Sequence, residues 1–281
     1  YDCVGYQPDK REIEQFDCLK YLDTPVLDGI SEKSLCFTNC ISTNTYTTSA
    51  HASVLTGLYP PRHGVRAFFH TRLSDSVQTL AEVLKKNGFT TILSTDTPEL
   101  FTYPGLARGF DYVITKNDSE ALKTLYKYRG RQEKVFMFVH FFDVHEPYLF
   151  SECPPDKDYN QDYSAFMESM TETHNLKTPS EKNYGVWAEY ASLIKRDIKE
   201  LFPMYVKGVS KFDRGRFKYF MDAAEPIFMD GGLTCIFSDH GEGRCSYENK
   251  NYFSHSGELY DNVIRTPLII NELVMMRSSE N

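Results

Sequence analysis

The sequence has no long hydrophobic run. No apolar stretch in its 281 residues approaches the ~18 residues that a membrane-spanning helix needs. It also has no basic excess, since the formal net charge is -8 and the pI is about 5.5. A nucleic-acid backbone requires a basic protein face, so this balance argues against DNA or RNA as the main partner. A small anionic substrate that meets a local cationic metal site remains compatible with it.

The sequence also lacks a cysteine pattern. Seven cysteines are scattered along the chain without C-x-x-C spacing: Cys3, Cys18, Cys36, Cys40, Cys153, Cys235 and Cys245. An odd number without that spacing indicates neither a zinc knuckle nor a fully paired disulfide framework. Free thiols slightly favour a reducing, cytoplasmic compartment. Localisation stays open, because a signal or anchor could precede the chain.

Enough apolar residues are present for one sizeable core, since 41% of the chain is hydrophobic and 25% is charged. We therefore expect a single domain over residues 1–281. A helix over 76–86, a glycine turn and a strand over 89–94 are typical of a doubly wound α/β unit. The near-continuous apolar segment 135–142 predicts a central parallel strand buried on both faces. Two further helices are predicted over 118–128 and 207–227.

Residues 45–66 carry the first candidate for chemistry. Their sequence, TYTTSAHASVLTGLYPPRHGVR, begins with hydroxyl residues and continues into an apolar turn closed by Gly57. The pattern predicts a loop that becomes a helix with a hydroxyl near its N-terminus. Free backbone N–H groups and the helix dipole favour an oxyanion there. An ordinary Ser/Thr-capped helix is the alternative for this stretch alone.

A second candidate is the pair Asp239-His240, which follows the β-rich segment 232–237. Adjacent ligands at a strand end can both point into a crevice, which suits a metal. An imidazole ligand favours zinc or manganese, whereas calcium prefers an all-oxygen shell. His145 lies at the expected carboxyl end of the strand predicted over 135–142, where open α/β sheets bind ligands. His255 follows Asp239 by sixteen residues.

Together these segments resemble the sulfatase branch of the alkaline phosphatase superfamily. Its signature is Cys/Ser-x-Pro-Ser-Arg-x-x-x-Leu-Thr-Gly, and alignment on Leu-Thr-Gly places Thr47 at the nucleophile and His51 at the arginine. The segment 238–242 is similar to the family's Ser-Asp-His-Gly-Glu, and 145–148 to its His-x-Pro-Tyr. The resemblance implies a doubly wound α/β fold whose mostly parallel sheet is sandwiched by helices.

Thr47 departs from the sulfatase pattern, because threonine cannot form the formylglycine aldehyde. The resemblance then implies the threonine-nucleophile relatives, which include nucleotide pyrophosphatases, phosphoglycerol transferases and phosphoethanolamine transferases. In these, a metal-bound threonine attacks phosphorus. Thr47, Asp239 and His240 are accordingly expected to bind a divalent metal, zinc or manganese rather than calcium.

The resemblance also implies roles for three histidines. His145, His255 and His51 are expected to bind substrate charge or to protonate the leaving group. His145 and His255 are alternatively expected to help hold a second zinc. One further metal ligand, an aspartate, would lie in a strand before Tyr1, and a chain without it is expected to bind Zn²⁺ or Mn²⁺ weakly. The variable segment 151–205 is expected to shape the substrate pocket.

Two hypotheses for function follow. The first is a metal-dependent hydrolase or transferase of phosphate esters, chiefly diesters, that works through a covalent phospho-Thr47. The second is a sulfatase-like enzyme that works without formylglycine, or an inactive sulfatase-like binding protein. Both hypotheses predict a small phosphorylated or sulfated partner, and neither predicts an oligomeric state.

Overall fold

A computed structural model describes residues 3–8, 14, 17–66, 71–131, 133–145, 198–228, 232–243, 245–247, 250–252, 255 and 259–272. Most of the segment expected to shape the substrate pocket, 151–205, lies outside these residues. Thr47, His51, His145, Asp239, His240 and His255 all lie within them.

Nine α-helices are found in the described part of the chain. They are α1 (Pro25–Ser31), α2 (Thr47–Thr56), α3 (Pro60–His63), α4 (Leu80–Lys86), α5 (Glu99–Thr102), α6 (Asp118–Tyr126), α7 (Ile198–Phe212), α8 (Lys218–Phe228) and α9 (Asp261–Ile264). A short 3₁₀ turn spans Leu19–Tyr21, and a π-helical segment, Asp213–Phe217, joins α7 to α8. None of the described helices is long and apolar enough to span a membrane.

Eight strands are described. They are β1 (Leu35–Ile41), β2 (Phe89–Thr95), β3 (Tyr112–Thr115), β4 (Lys134–His140), β5 (Leu233–Phe237), β6 (Cys245–Tyr247), β7 (Lys250–Tyr252) and β8 (Arg265–Glu272). They form a three-stranded sheet in the order β3-β2-β4, a second in the order β1-β8-β5, and the hairpin β6-β7.

The first of these sheets is parallel and confirms the predicted α/β architecture. Ile92 of β2 pairs with Tyr112 of β3 on one side and with Met137 of β4 on the other. The strand predicted to be central, β4, pairs only with β2 in the described sheet, and most of its side chains are half-buried. β2 takes the central place, because β3 and β4 cover its two edges.

Helices pack on both faces of the parallel sheet. On one face, Leu93 of β2 lies in a cluster with Ala52 and Leu55 of α2 and with Phe101 of α5. On the other face, Ile92 packs with residues of α6 and α8. Alternate side chains of one strand therefore pack into two hydrophobic cores on opposite faces of the sheet. This is the three-layer arrangement of α/β domains.

The second sheet is antiparallel, which the sequence did not indicate. β8 is its centre and pairs antiparallel with both β1 and β5. The ring centroids of Phe138 on β4 and Phe237 on β5 lie 6.2 Å apart, so the two sheets approach each other at these two residues.

Three predicted boundaries differ from the structure. The helix predicted from residue 76 begins only at Leu80, because Thr79 and Glu82 form a capping box there. The strand predicted to reach residue 142 ends at His140, since the backbone N–H of Phe142 donates to the Asp96 carboxylate instead of to a neighbouring strand. The helix predicted over 207–227 is interrupted by the π-helical segment.

Candidate active site

Thr47 is the first residue of α2, and its side chain is buried. The first backbone N–H groups of a helix have no partner within the helix, so they can bind an anion. Gly57 ends the helix in the left-handed conformation, at φ 68°. The local sequence therefore presents the Thr47 hydroxyl at a helix N-terminus, as predicted.

Asp239 and His240 follow β5 and lie beside Thr47. Thr47 Oγ1 is 3.1 Å from His240 Nε2, and Asp239 Oδ2 is 3.3 Å from the same nitrogen. Ser42, just after β1, donates its hydroxyl to the Asp239 carbonyl at 2.5 Å. The end of the antiparallel sheet thus delivers both residues to the N-terminus of α2.

The turn after His240 depends on Gly241. Its N–H donates to the Val263 carbonyl at 2.6 Å, and a Cβ at this position would lie 2.1 Å from the Asn262 carbonyl oxygen. His240 Nδ1 is 2.8 Å from the Gly241 carbonyl. A carbonyl only accepts, so Nδ1 donates, and in the neutral imidazole Nε2 presents a lone pair toward Thr47.

His51 lies behind Thr47. Its Nδ1 donates to the Thr47 carbonyl at 2.8 Å and lies 3.6 Å from Asp239 Oδ2. The ring is buried and makes edge contacts with Phe101 and His140, at centroid distances of 5.2 and 5.0 Å. Burial lowers the pKa of His51, which favours a neutral ring.

The Asp239 carboxyl is held in its ionised form. Burial alone raises its pKa, but His240, His51 and His140 act more strongly in the opposite direction. The net pKa of Asp239 lies well below its usual range. An ionised carboxylate that is only 19% exposed is suited to a cation.

His145 and His255 are brought together with His240. The His255 ring is stacked on the His240 ring at 4.3 Å, and the His145 ring lies 5.3 Å from the His255 ring. His255 Nδ1 lies 3.3 Å from Glu242 Oε1. Burial alone raises the pKa of Glu242, but its hydrogen bond with His255 and the nearby histidines give a net decrease.

Glu242 had no assigned role at the sequence level. The only signal was its place in the segment 238–242, two residues after His240. Its contact with His255 depends on folding, because thirteen residues separate the two.

The donor atoms fit a divalent metal in part. A tetrahedral zinc site with bonds of about 2.0–2.1 Å holds its ligand atoms roughly 3.3 Å apart. The distances from His240 Nε2 to Thr47 Oγ1 and to Asp239 Oδ2 are 3.1 and 3.3 Å. Among the described residues, no group of three or more His, Cys, Asp and Glu side chains is arranged to hold a metal.

Comparisons with solved structures place the fold among known enzymes. The phosphonate monoester hydrolase of Agrobacterium radiobacter is 16% identical, with a TM-score of 0.58 over 92% of this chain and 66% of that chain. The chain therefore spans slightly less than two thirds of that hydrolase. No curated protein sequence matches the chain.

Two further structures are periplasmic domains. The C-terminal periplasmic domain of the phosphoethanolamine transferase EptC from Campylobacter jejuni is 13% identical, with a TM-score of 0.55 over 97% of this chain and 74% of that chain. The corresponding domain of EcEptC from Escherichia coli, in complex with Zn, is 14% identical, with a TM-score of 0.58 over 92% of this chain and 69% of that chain.

The family model described as Sulfatase matches residues 12–271, which is most of the chain. This range includes every candidate site residue. The chain belongs to the sulfatase family, within the alkaline phosphatase superfamily.

Proposed function

We propose that this chain is a metal-dependent hydrolase or transferase of phosphate esters, chiefly diesters, with Thr47 as the nucleophile. One observation supports this most directly: the Thr47 hydroxyl lies at the N-terminus of α2, 3.1 Å from His240 Nε2. A threonine gives no formylglycine, so the nucleophile of a conventional sulfatase is absent at this position. A hydroxyl can attack phosphorus directly and form a phosphate ester.

The proposed metal ligands are Thr47, Asp239 and His240. The imidazole favours Zn²⁺ or Mn²⁺ over Ca²⁺. A related domain in complex with Zn is consistent with this choice. A bound metal would lower the pKa of the Thr47 hydroxyl and would place positive charge beside the phosphoryl oxygens.

The covalent step is a displacement at phosphorus. The Thr47 hydroxyl releases its proton to solvent, and its Oγ1 forms a bond to phosphorus. The bond from phosphorus to the leaving-group oxygen breaks, and that oxygen takes a proton from His145 or His255. The N-terminal N–H groups of α2 bind a non-bridging oxygen as negative charge develops. The oxygen of water or of an acceptor alcohol then forms a bond to phosphorus as the bond from phosphorus to Thr47 Oγ1 breaks. The proton that the attacking oxygen loses restores the Thr47 hydroxyl, and the outcome is hydrolysis with water or transfer with an alcohol.

His145 and His255 are the proposed groups for the other side of the substrate. Their rings lie near His240, so they can bind a phosphoryl oxygen, protonate the leaving group or help hold a second zinc. Glu242 contacts His255 and would orient its ring. The buried position of His51 favours a supporting role, in which its Nδ1 steadies the Thr47 carbonyl and Asp239.

Sulfate ester hydrolysis without formylglycine is the alternative activity, and the family assignment favours it. A sulfatase-like protein that binds without turnover is a second alternative. Related structures include one in complex with D-glucosamine-2-N,6-O-disulfate, so sulfated sugars belong in any substrate comparison. The net charge of -8 gives no support for a nucleic-acid substrate.

The deciding experiment compares an aryl phosphodiester, an aryl phosphate monoester and an aryl sulfate, each with Zn²⁺ and with Mn²⁺. We expect the phosphodiester to be turned over fastest. Thr47→Ala should lower kcat by on the order of 10³-fold or more, because the nucleophile is removed. Thr47→Ser keeps the hydroxyl and should retain measurable activity.

Mass spectrometry of the quenched reaction provides an independent measurement. With the phosphodiester, a phosphoryl group that still carries its second ester substituent should be found on the peptide that contains Thr47, and it should be absent from Thr47→Ala. Full activity of Thr47→Ala on the phosphodiester would show that the mechanism is wrong. Faster turnover of the aryl sulfate would favour the alternative activity.

A further inference from the structure

An arginine on the π-helical segment, whose side chain is only 15% exposed, uses all of its N–H groups on carboxylates. Arg216 Nε and Nη2 donate to Asp118 at 2.7 and 2.8 Å, and Nη1 and Nη2 donate to Asp96 at 2.7 and 2.9 Å. Nη1 also donates to Asp143 Oδ2 at 2.8 Å. Five hydrogen bonds are the full capacity of a guanidinium, and lysine cannot reproduce them.

The three carboxylates mark the ends of the three parallel strands. Asp96 directly follows β2, Asp118 lies three residues after β3, and Asp143 lies three residues after β4. One guanidinium therefore joins the carboxyl ends of β2, β3 and β4. In open α/β sheets this is the edge at which ligands bind.

The same guanidinium holds three consecutive residues after β4. It lies 5.0 Å from the centroid of the Phe141 ring, and it bonds Asp143 directly. Its partner Asp96 accepts the backbone N–H of Phe142 at 2.9 Å. This segment leads straight to His145.

His145 rests on that segment. Its ring stacks on the Phe142 ring at 4.0 Å with an interplanar angle of 17°, and its backbone N–H donates to the Phe142 carbonyl at 3.0 Å. A displacement of Phe142 would therefore move the His145 ring relative to His255.

We propose that Arg216 is a positioning residue for His145, acting through Asp96, Asp143 and the segment 141–143. This rests on the proposed function, in which His145 acts on the phosphoryl or leaving group. Nothing in the proposed chemistry requires Arg216 to touch the substrate. Arg216 affects turnover by holding the His145 imidazole in place.

Three variants test the proposal. Arg216→Lys keeps the charge but not the geometry of five donors. Asp143→Ala removes only the direct bond to the segment. Burial raises the pKa of Asp143 to about 6 even though Arg216 lowers it, so the cluster holds excess negative charge and this variant is expected to fold. Arg214→Lys is the matched control, because Arg214 lies on the same segment but is exposed and pairs with Asp23.

The first measurement does not depend on activity. The imidazole signals of His145 are recorded by NMR in metal-free protein and assigned by their loss in His145→Gln. Stacking on Phe142 subjects them to its ring current. Arg216→Lys and Asp143→Ala should shift these signals, and Arg214→Lys should not.

The second measurement is a double-mutant cycle on the aryl phosphodiester. Arg216→Lys should lower kcat/KM by roughly tenfold to a hundredfold, the usual effect of misplacing a catalytic group. In a His145→Ala background the same change should cost less than about threefold, because the group that Arg216 positions is already gone. Asp143→Ala should behave in the same way.

Unchanged His145 signals in a folded Arg216→Lys or Asp143→Ala variant would overturn the proposal. Equal losses of activity with and without His145 would also overturn it. If Arg216→Lys does not fold, Asp143→Ala alone decides both measurements. If the wild-type protein has no phosphodiesterase activity, the proposed function fails, and the NMR measurement still decides whether Arg216 positions His145.

Discussion

At the scale of single residues, Gly241 is a closely packed position beside the site. It separates His240 from Glu242 and packs against the backbone at Asn262. Its N–H also donates to Val263. The three atoms nearest to a Cβ at this position are backbone atoms of Asn262 and Val263, so no flexible side chain could move to make room for a larger residue.

We therefore expect Gly241→Ala to lower the free energy of unfolding by about 3 kcal/mol, at the upper end of the range for overpacking. Gly29 is the control, because it lies inside α1 and a Cβ there meets nothing within 4 Å. Gly29→Ala should raise stability by about 0.5–1 kcal/mol, the difference in helix propensity. Urea unfolding measures the free energy of unfolding of both variants. An unchanged free energy of unfolding in Gly241→Ala would contradict the close approach of Asn262 to Gly241.

The candidate site was partly predictable at the residue scale. Local sequence and a family resemblance single out Thr47, Asp239 and His240, and the structure places His240 Nε2 3.1 Å from Thr47 Oγ1 and 3.3 Å from Asp239 Oδ2. Their roles stay predictions. The cluster around Arg216 could not be found in this way, because its four residues lie on separate loops and helices and only the tertiary structure brings them together.

At the scale of elements, the π-helical segment connects two parts of the fold. Arg216 faces the ends of the parallel strands, while Asp213 faces the N-terminus of α1. The Asp213 carboxylate accepts the backbone N–H groups of Val26 and Leu27, each at 2.9 Å. It thus caps a helix that lies nearly two hundred residues earlier in the sequence.

Asp213→Ala should destabilise the protein at neutral pH by about 1–2 kcal/mol, the usual cost of a lost N-terminal cap. Asp222→Ala is the control on the neighbouring helix α8. Asp222 is exposed, and among the residues that the structure describes its ion pair is with Lys218 at the surface, so its loss should change stability by less than about 0.5 kcal/mol. Equal effects of the two variants would argue against the cap.

The pH dependence of the Asp213 contribution has a definite sign. Burial raises the pKa of Asp213, although the hydrogen bonds from Val26 and Leu27 lower it. The folded protein therefore binds this proton more tightly than the unfolded chain does. The contribution of the Asp213 proton to the free energy of unfolding is fully present below the ordinary aspartate pKa of ~3.9. This contribution declines as pH rises through the higher pKa that Asp213 has in the folded protein. The difference in stability between wild type and Asp213→Ala should accordingly narrow as pH rises through that window.

Sequence patterns located most elements but not their partners. The helix-glycine-strand pattern correctly predicted α4 and β2, because both depend on local periodicity and end signals. The antiparallel pairing of β8 with β1 and β5 was not predicted, since strand partners depend on long-range packing. The π-helical segment was not predicted either, because its wide turn has no distinct residue pattern.

At the scale of the whole molecule, the candidate site lies where the two three-stranded sheets meet. The helix that carries Thr47 packs into the core of the parallel sheet through Ala52 and Leu55. Asp239 and His240 follow β5 of the antiparallel sheet. A metal held by these three residues would therefore link the two halves of the fold, and its binding energy would add to the stability of the whole chain.

This arrangement predicts that a divalent metal stabilises the protein against heat. A ligand at about 100 times its Kd adds roughly 2.7 kcal/mol, and each kcal/mol raises Tm by roughly 2–3 °C in a protein of this size. Saturating Zn²⁺ or Mn²⁺ should thus raise Tm by about 5 °C or more over the protein in chelator, as measured by calorimetry.

Asp239→Asn and Thr47→Ala should lose most of this shift in Tm, because each removes a ligand from a set of three. Cys235→Ser is the control for zinc bound to an exposed thiol, and it should keep the full shift. A full shift in Asp239→Asn would place the metal elsewhere, and the proposed role of Thr47 would then lose its physical basis.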